Sequence, residues 1–553
     1  MEVVAAVVVV ATLVAMASGK VPAVLALATG LAVGGILKLA PVPALFAGLS
    51  NEGVITVAGM LVIAKGVVKT GIIARVTWRL LATVKTAAQA LRRLIVPVGV
   101  ASALMNTTPL VAMLIPATRQ LQQTRDVPAR EVLLPIAHAT TLAGSVTLIG
   151  TSSNLLIAGI ASDDGIHVSM LSFASVALPV CLVGWVVLLL TAPRLLRGET
   201  GGEPGVQPWR VEVPIASGAI AIGRRAADIG IEHTQEYMLQ AITRHGEQVP
   251  AAEAFEAGDR LVFAASEAGV RSLWENPRFG LSPQHLYMVS VGTGEHGTLF
   301  ELEGEDLRII AAETAKPFGD TTAVPGATVF VTCSSTEELA RNEAFTVWAQ
   351  AAGRAPQPRK TWTALGVLTA VVVAASFGLA PVALIAFAGA VLMVLTRVLT
   401  PRAAVRALDW NVLFILAGSV GLAAIVVESG LAAVLARSID QISSGSTAIV
   451  VVVFALTTTV LTNLITNAAA ASILTPVALG IATKLGLNPV TLLALVATCI
   501  SFTFINPFSH QSNLMVMGPG GYSARTFAKF GAPLVVVSLA TVSVVTWALL
   551  NSA

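Results

Sequence analysis

The 553-residue sequence is poor in charged residues and in cysteine. Asp, Glu, Lys and Arg make up 12% of it, whereas a soluble globular chain carries roughly 25%. Hydrophobic residues reach 55%, and the mean hydropathy is +0.80. A soluble fold for the whole chain is therefore excluded, and the length allows about ten membrane spans plus a soluble domain. Cys181, Cys333 and Cys499 lie far apart, so they indicate neither a disulfide framework nor a zinc site.

Acidic residues are scarce except in the middle of the sequence. Of the 31 Asp and Glu residues, 22 lie between Arg194 and Lys360, together with 15 of the 34 Lys and Arg residues. This stretch has a net charge of −7, and the rest of the sequence has a net charge of +10. We therefore predict a water-soluble insert over 194–360 between membrane repeats over 1–193 and 361–553. The basic excess has a use in membrane orientation, so nucleic-acid binding is not expected.

Apolar stretches long enough to cross a membrane occur in both repeats. The first 17 residues lack a basic start, so they are predicted to form a span and not a cleaved signal. The stretches 94–118 and 447–480 carry prolines and polar motifs at their centres. They are predicted to be re-entrant hairpins, because irregular backbone at membrane depth is tolerated only where it lines a protein cavity. Broken helices are predicted over 131–160 and 488–518.

The predicted fold class is an all-α polytopic membrane protein with two inverted repeats, about 10 transmembrane helices, two re-entrant hairpins and a cytoplasmic α+β insert. Its orientation follows from the basic residues between Lys65 and Arg93, which have no acidic residue among them. The positive-inside rule assigns their side, and the insert with it, to the cytoplasm. With ten spans, both termini are expected outside, in the inner membrane of a bacterium.

The two repeats share patterns at an offset of 359 or 360 residues. Pro22–Gly30 recurs as Pro381–Gly389, and Ser153–Gly159 recurs as Ser512–Gly518. Five spans in each repeat is an odd number, so the second repeat must be inverted in the bilayer. Inverted repeats with paired discontinuous helices are typical of secondary transporters, which bind substrate near the midplane.

Four polar clusters interrupt the apolar stretches, two in each repeat. They cover residues 106–109, 150–154, 466–468 and 506–513, and none contains Asp, Glu, Lys or Arg. Uncharged groups avoid the cost of a buried formal charge. The N-terminus of a broken helix attracts an anion, while side-chain oxygens and freed carbonyls suit sodium. The clusters therefore predict an anion between two hairpin tips with sodium ions beside it. A proton-driven pump would need a carboxylate in the core, so proton coupling is less favoured.

The polar clusters also carry a resemblance. NTTPLVAMLIP, GTSSNLLIAG, TNAAAASILTP and QSNLMVMGPGGY resemble the divalent-anion/sodium symporter (DASS) family of the ion-transporter superfamily, which contains sulfate and di- and tricarboxylate carriers. The insert resembles paired TrkA-C (RCK_C) regulatory domains, through IGRRAADIGI, ITRHGEQVP and FEAGDRLVF, with one module over 211–268 and a degenerate one over 281–335. The resemblance implies a homodimer in which an elevator-like transport domain holds the hairpins.

The positions of the clusters and the resemblance together assign the candidate site. Substrate contacts are predicted for Asn106, Thr107, Thr108, Thr466, Asn467 and Ser512. Sodium ligands, through side chains and backbone carbonyls, are predicted for Asn106, Gly150, Thr151, Ser152, Ser153, Asn154, Asn467, His510, Gln511, Ser512 and Asn513. A regulatory ligand of the insert, a small molecule or a nucleotide, is predicted to meet Arg224 and Arg225.

The predicted function is sodium-coupled symport of a small divalent anion, with sulfate favoured over a C4-dicarboxylate and sodium as the coupling ion. One alternative is a ligand-gated ion channel, although the sequence lacks a filter such as TVGYG. The other alternative is a cation/proton antiporter of the same superfamily. An enzyme is not expected, because no membrane segment holds a nucleophile–base pair or a metal-ligand spacing.

Overall fold

The chain folds into two compact units. The membrane unit comprises Met1–Arg197 and Pro356–Ala553, and the insert comprises Gly198–Ala355. The structure is a computed structural model, and it describes residues 1–17, 21–81, 83–105, 107–125, 127–197, 209–234, 236–244, 247–250, 252–281, 286–291, 297–304, 307–324, 327–333, 345–350, 360–443 and 445–552.

The first half of the membrane unit is helical. Its described helices are α1 (Glu2–Ala17), α2 (Ala23–Ile36), α3 (Val42–Phe46), α4 (Glu52–Lys69), α5 (Ile72–Leu81), α6 (Ala87–Leu104), α7 (Thr107–Arg125), α8 (Arg130–Gly144), α9 (Ser152–Asp163) and α10 (Ala174–Leu195). The helices α6 and α7 lie over the predicted hairpin 94–118, and α8 and α9 lie over the predicted broken helix 131–160.

The insert contains one antiparallel sheet and short helices. Its described elements are β1 (Trp209–Pro214), α11 (Ala226–Ile229), β2 (Tyr237–Arg244), β3 (Glu247–Val249), β4 (Arg260–Ala265), α12 (Glu267–Trp274), β5 (Leu286–Val291), β6 (Leu307–Ala312), β7 (Thr328–Cys333) and β8 (Phe345–Gln350). The strand order is β3-β2-β4-β1-β6-β7-β5-β8, so the pairing of β1 with β6 joins two sets of four strands.

Alternating side chains of the insert strands serve two separate apolar clusters. Met288 packs in one cluster with Phe263 and Phe330, whereas its neighbour Val289 packs in the other with Val331. This is the period of two expected of a sheet that is covered on both faces. The buried Asp259 side chain accepts two hydrogen bonds from Arg244, at 2.8 and 2.9 Å, next to the end of β2.

The second half of the membrane unit repeats the first. Its described helices are α13 (Thr361–Ser376), α14 (Val382–Leu395), α15 (Pro401–Val405), α16 (Trp410–Glu428), α17 (Leu431–Ser443), α18 (Thr447–Leu464), α19 (Asn467–Leu485), α20 (Pro489–Ile500), α21 (Gln511–Met517) and α22 (Ala524–Ser552). From the pair α1 and α13 to the pair α9 and α21, the first residues of matching helices differ by 358 to 360 positions.

Contacts between the halves are reciprocal. A Cβ atom added to Gly34 of α2 would lie 2.5 Å from the Ile425 side chain of α16, and one added to Gly66 of α4 would lie 2.7 Å from the Met393 sulfur of α14. Residues 34 and 393 are equivalent at an offset of 359, and so are residues 66 and 425. The same close contact therefore occurs twice with the roles of the halves exchanged, which is the pattern of a pseudo-two-fold relation.

Seven of the described helical segments are long and apolar enough to cross a membrane. They are Val42–Lys69, Ala87–Leu104, Ala174–Leu195, Trp410–Glu428, Thr447–Leu464, Asn467–Leu485 and Ala524–Ser552. Five further apolar helices, α1, α2, α13, α14 and α20, have 10–17 residues. The side chain of Asp409 accepts a hydrogen bond from Val412 N at 3.1 Å and caps α16.

Candidate functional site

The first hairpin turns between α6 and α7, and its tip comprises residues 105–108. Asn106 lies outside the described residues. Thr107 is the first residue of α7 and is buried, and its hydroxyl lies 3.0 Å from Ser102 Oγ of α6. Ser102 Oγ donates to the Thr140 carbonyl of α8 at 2.8 Å, so with its single hydrogen engaged it accepts from Thr107. Thr107 is thus anchored both to its own hairpin and, through Ser102, to the broken helix.

The second hairpin is anchored in the same way. Its tip comprises residues 465–467, and the Thr466 side chain accepts from Ala469 N at 3.3 Å to cap α19. Thr462 Oγ1 of α18 lies 2.9 Å from the Asn467 side-chain oxygen and 2.9 Å from the Ile500 carbonyl of α20.

The three anchoring positions of the two hairpins are equivalent. Residues 102, 107 and 140 become residues 462, 467 and 500 at a constant offset of 360. One network of hydrogen bonds is therefore built twice from different side chains.

The broken helix of the first half is interrupted at residues 145–151, here called the first break. Inside it, a Cβ atom added to Gly150 would lie 2.3 Å from the Gly144 carbonyl oxygen, so this close backbone approach requires glycine. A Cβ atom added to Gly144 would lie 3.2 Å from Thr107 Oγ1, so the hairpin tip meets the break. Thr151 and Ser152 are half-buried where α9 begins, and Ser153 is buried.

The second break comprises residues 501–510, between α20 and α21. Asn463 of α18 donates to the Phe502 carbonyl at 2.9 Å and ties the hairpin to this break. His510 Nδ1 lies 2.6 Å from Ser512 Oγ and accepts from Ser512 N at 3.2 Å, which caps α21. Ser512 is fully buried, whereas Gln511 is exposed.

Each break surrounds one buried asparagine. Asn154 Nδ2 donates to the Ser145 and Thr147 carbonyls at 3.2 and 2.8 Å, and Asn513 Nδ2 donates to the Thr503 carbonyl at 2.5 Å. Both asparagines are fully buried. Asn154 Oδ1 and Asn513 Oδ1 accept no hydrogen bond from any described residue. A buried oxygen without a donor is costly, and a cation ligated by that oxygen relieves the cost.

A histidine of the first half lies beside the second break. His138 of α8 faces Asn513 without hydrogen-bond geometry, and its ring is enclosed by Phe504, Phe527 and Phe530 at centroid distances of 5.0, 6.1 and 5.7 Å. Within the described chain, no group of three or more His, Cys, Asp or Glu side chains is arranged to hold a metal ion. The oxygens available to a cation at the breaks therefore belong to amides, hydroxyls and backbone carbonyls.

The two halves meet at the site. Thr108 Oγ1, at the first hairpin tip, donates to Gln511 Oε1 at the start of α21, at a distance of 3.5 Å. The equivalent contact, with the two halves exchanged, is the packing of α9 against α19. The helices α7, α9 and α19 all begin in the polar clusters, so their N-terminal N–H groups provide partial positive charge without a basic side chain.

Arg224 and Arg225 belong to the insert and not to this site. Both side chains are exposed, just before the short helix α11. Arg225 N donates to the Asp228 carboxylate at 3.2 Å. The pair is accessible to a ligand from solution.

Residues 3–498 match the family described as citrate transporter, CitMHS. The matched region contains both hairpins and the first break. The chain belongs to the CitMHS citrate transporter family. It is accordingly a multi-pass membrane transporter, consistent with its expected lack of enzymatic activity.

Relatives of this CitMHS protein include an uncharacterized transporter and a transporter that is named for its substrates. An uncharacterized transporter of Synechocystis, sll0640, is 27% identical over 491 residues, which cover 80% of each chain. Sodium/sulfate cotransporter 1 of Chlamydomonas reinhardtii is 35% identical over 146 residues, which cover 26% of this chain and 17% of that protein. The crystal structure of the Alcanivorax borkumensis YdaH transporter aligns over 96% of this chain and 90% of that one, with 13% identity and a TM-score of 0.44.

Sequence reasoning about this CitMHS protein missed Ser102, Thr140 and Tyr522. Ser102 is an isolated hydroxyl in an apolar helix, and such residues are common in membrane helices. A comparison of the halves at the offset of 360 would have found it, because its equivalent Thr462 lies beside a predicted cluster. Tyr522 is the last residue of the QSNLMVMGPGGY motif, but the motif does not show its role, because that role depends on contact with the other half.

Proposed function

We propose that this CitMHS-family protein is a sodium-coupled symporter of a small divalent anion, with sulfate preferred over a C4-dicarboxylate. The observation that carries the proposal is the pair of unsatisfied oxygens, Asn154 Oδ1 and Asn513 Oδ1, buried at equivalent breaks. Each break also contains backbone carbonyls that lie outside a helix, and such oxygens can ligate sodium in discontinuous-helix transporters.

Each sodium ion binds between one hairpin tip and one break. In the first half the ligands come from Asn106 and the run Gly150–Asn154, and in the second half they come from Asn467 and the run His510–Asn513. The close approach of Thr107, Gly144 and Gly150 supports the first of these sites, because it brings the tip and the break within contact distance. The hydrogen bond from Asn463 to Phe502 supports the second.

The anion lies between the hairpin tips. Its contacts are the side chains of Thr107, Thr108, Thr466, Ser512, Asn106 and Asn467, and its hydrogen-bond donors include the first N–H groups of α7 and α19. These groups carry no formal charge, so the bound sodium ions offset the charge of the anion. Anion and sodium binding are then coupled, because either alone leaves charge in a medium of low dielectric constant.

Two observations bear on the substrate. Three relatives from Chlamydomonas reinhardtii are named sodium/sulfate cotransporters, which supports sulfate. The family description names citrate, which adds a tricarboxylate to the candidates that the uptake assay must compare. A site built from hydroxyls and helix N-termini suits sulfate, whose oxygens accept hydrogen bonds from all directions.

The transport cycle is an elevator movement within a homodimer, in which the hairpins and broken helices move as one domain past a scaffold. The halves are inverted relative to each other, and ten membrane spans place both termini outside and the insert in the cytoplasm. The reciprocal Gly34–Ile425 and Gly66–Met393 contacts support the two-fold relation. The insert comprises two TrkA-C-like modules, and Arg224 and Arg225 bind a small-molecule or nucleotide regulator.

Reconstitution of the full chain into liposomes tests the proposal. Uptake of radiolabelled sulfate, succinate and citrate is measured with an inward sodium gradient and with choline in its place. We expect sulfate uptake that requires sodium. Sodium-independent uptake of all three anions contradicts the coupling. Ohmic current indicates a channel, and proton counter-transport without anion uptake indicates an antiporter.

A further inference from the structure

One buried tyrosine of the second half is hydrogen-bonded to the backbone of the first half. The Tyr522 hydroxyl accepts a hydrogen bond from Leu134 N at 3.0 Å and donates one to the Arg130 carbonyl oxygen. These two backbone groups are four residues apart in α8, so they are the donor and acceptor of one i to i−4 pair of that helix. The Tyr522 hydroxyl therefore binds both groups of a backbone pair in a helix that belongs to the other half.

This backbone pair lies next to a proline inside α8. Pro135 follows Leu134 within the helix. A proline has no N–H group to bond to the carbonyl four residues earlier, and its ring collides with that carbonyl. Helices bend at such positions unless neighbouring groups satisfy the freed atoms. The carbonyl that Pro135 leaves without its N–H donor belongs to Glu131, and the Tyr522 hydroxyl binds the Leu134 N–H and the Arg130 carbonyl immediately beside it.

Tyr522 is itself held firmly. Its N–H donates to Met517 O at 2.9 Å, which closes the turn after α21. A Cβ atom added to Gly520 would lie 2.0 Å from the Tyr522 ring, so the ring occupies space that a larger residue would need. The ring also meets Phe527 edge-on at 5.7 Å, and the Arg130 guanidinium carbon lies 5.8 Å from its centroid.

The contact links the two breaks. Tyr522 follows α21, which carries Ser512 and Asn513 at the second break. Leu134 lies in α8, which ends at Gly144 where the first break begins. One turn beyond Leu134, His138 packs against Phe504 of the second break at 5.0 Å. A shift or bend of α8 therefore changes the geometry of both breaks together.

We propose that Tyr522 is a positioning residue that holds α8 and α21 in one register, so that sodium bound at either break favours sodium binding at the other. This inference rests on the sodium coupling proposed above. It assigns the cooperativity between the two cation sites to one hydroxyl that touches neither ion nor substrate. Coupling between sites requires an element that both sites bias, and α8 with its proline is that element.

The test compares Tyr522→Phe with the intact protein in two measurements on the full chain. The first is sulfate uptake at saturating sulfate as a function of sodium concentration. The second is the shift in Tm that sodium chloride produces relative to choline chloride. For the intact protein we expect a Hill coefficient of about 2. For Tyr522→Phe we expect a coefficient near 1 and a half-saturating sodium concentration raised about fivefold, the effect of losing one buried hydrogen bond.

Two further variants keep the test decisive. Thr118→Val removes a buried hydroxyl that bonds Leu114 O and Ile115 O of its own helix α7 and no other described residue, so this variant should behave like the intact protein. Gly520→Ala displaces the Tyr522 ring without changing its chemistry and should reproduce the loss of cooperativity, even if Tyr522→Phe folds poorly.

The outcomes separate this inference from the proposed function. A Tm of Tyr522→Phe that falls equally in both salts, with an unchanged Hill coefficient, shows a purely structural role and overturns the inference. A smaller sodium-induced shift supports it. An intact protein that shows neither a sodium-induced shift nor sodium-dependent uptake overturns the sodium coupling itself, and this inference with it.

Discussion

At the scale of single residues, the two buried asparagines have more acceptor capacity than their surroundings use. Each amide donates to backbone carbonyls of its break, which fixes the orientation of the side chain. The oxygen then points away from those carbonyls, and it accepts no hydrogen bond from a described residue. In the proposed sodium sites each asparagine is an uncharged ligand, so a site without its ion contains no buried carboxylate.

Replacement of either asparagine should weaken sodium activation. For Asn154→Ala and Asn513→Ala we expect the half-saturating sodium concentration for sulfate uptake to rise at least about tenfold, because a ligand and the bonds that orient the break are lost together. Asn551→Ala is the matched control, since that exposed amide also donates to a carbonyl, Trp547 O. Unchanged sodium dependence in both variants would remove these residues from the cation sites.

Thr462 supports the tip of the second hairpin through its hydroxyl. Thr462→Val keeps the shape of the side chain but loses the bonds to Ile500 O and Asn467, a change worth about 1 kcal/mol. We expect the KM for the anion to rise about fivefold, measured as the concentration dependence of uptake. Thr458→Val, one turn earlier, loses only a bond to Phe454 O of its own helix and should not change the KM. An equal effect of both variants would contradict an anchoring role.

At the scale of elements, the first break depends on a contact between two glycines. In Gly150→Ala the new methyl group would meet the Gly144 carbonyl oxygen at 2.3 Å, and backbone yields less readily than a side chain. We expect this variant to lose about 1 to 3 kcal/mol of stability, measured by Tm, and most of its sulfate uptake, measured by transport. A Cβ atom added to Gly366 in α13 would have nothing within 4 Å, so Gly366→Ala should keep both its stability and its uptake. Normal uptake by Gly150→Ala would show that the break tolerates rearrangement.

Elements with a strong local signal could be predicted from the sequence. Asp409 before an apolar run indicates an N-cap, and the structure has it there. The short runs Val211–Ile215, Gln240–Arg244 and Arg260–Ala264 indicate strands, and β1, β2 and β4 lie there. The polar motifs at 106–109 and 466–468 likewise lie where hairpin helices turn. In each case neighbouring residues determine the backbone.

Other elements depend on contacts between distant residues. The helix α5 is short and carries Arg75 and Arg79, so the sequence gives only a basic stretch where the structure has an amphipathic helix. The pairing of Arg210 with Ala312, which joins the two sets of strands in the insert, spans about a hundred residues and leaves no local pattern. Ser102 and Tyr522 belong to this class, since their partners lie in other helices. Periodicity cannot identify such contacts, although the repeat offset identifies some.

At the scale of the whole molecule, the insert forms its own compact unit, Gly198–Ala355, and interrupts the chain between the two halves. If it regulates transport, the membrane unit should work without it. We expect deletion of 205–355 to leave basal sulfate uptake and to abolish its response to the regulator, tested in proteoliposomes with candidate nucleotides inside. Arg224→Ala with Arg225→Ala in the full chain should abolish the response and keep the insert folded. Loss of folded protein on deletion would make the insert structural.

The reciprocal contacts between the halves also bear on whether the halves are interchangeable. Both glycines of the pair, Gly34 and Gly66, are in the first half, and both large partners, Met393 and Ile425, are in the second. Two copies of the first half would leave a void at this contact, and two copies of the second would overfill it. At this contact each half therefore fits the other half and does not fit a second copy of itself. Expressed as separate polypeptides, the halves should assemble one to one and in no other ratio.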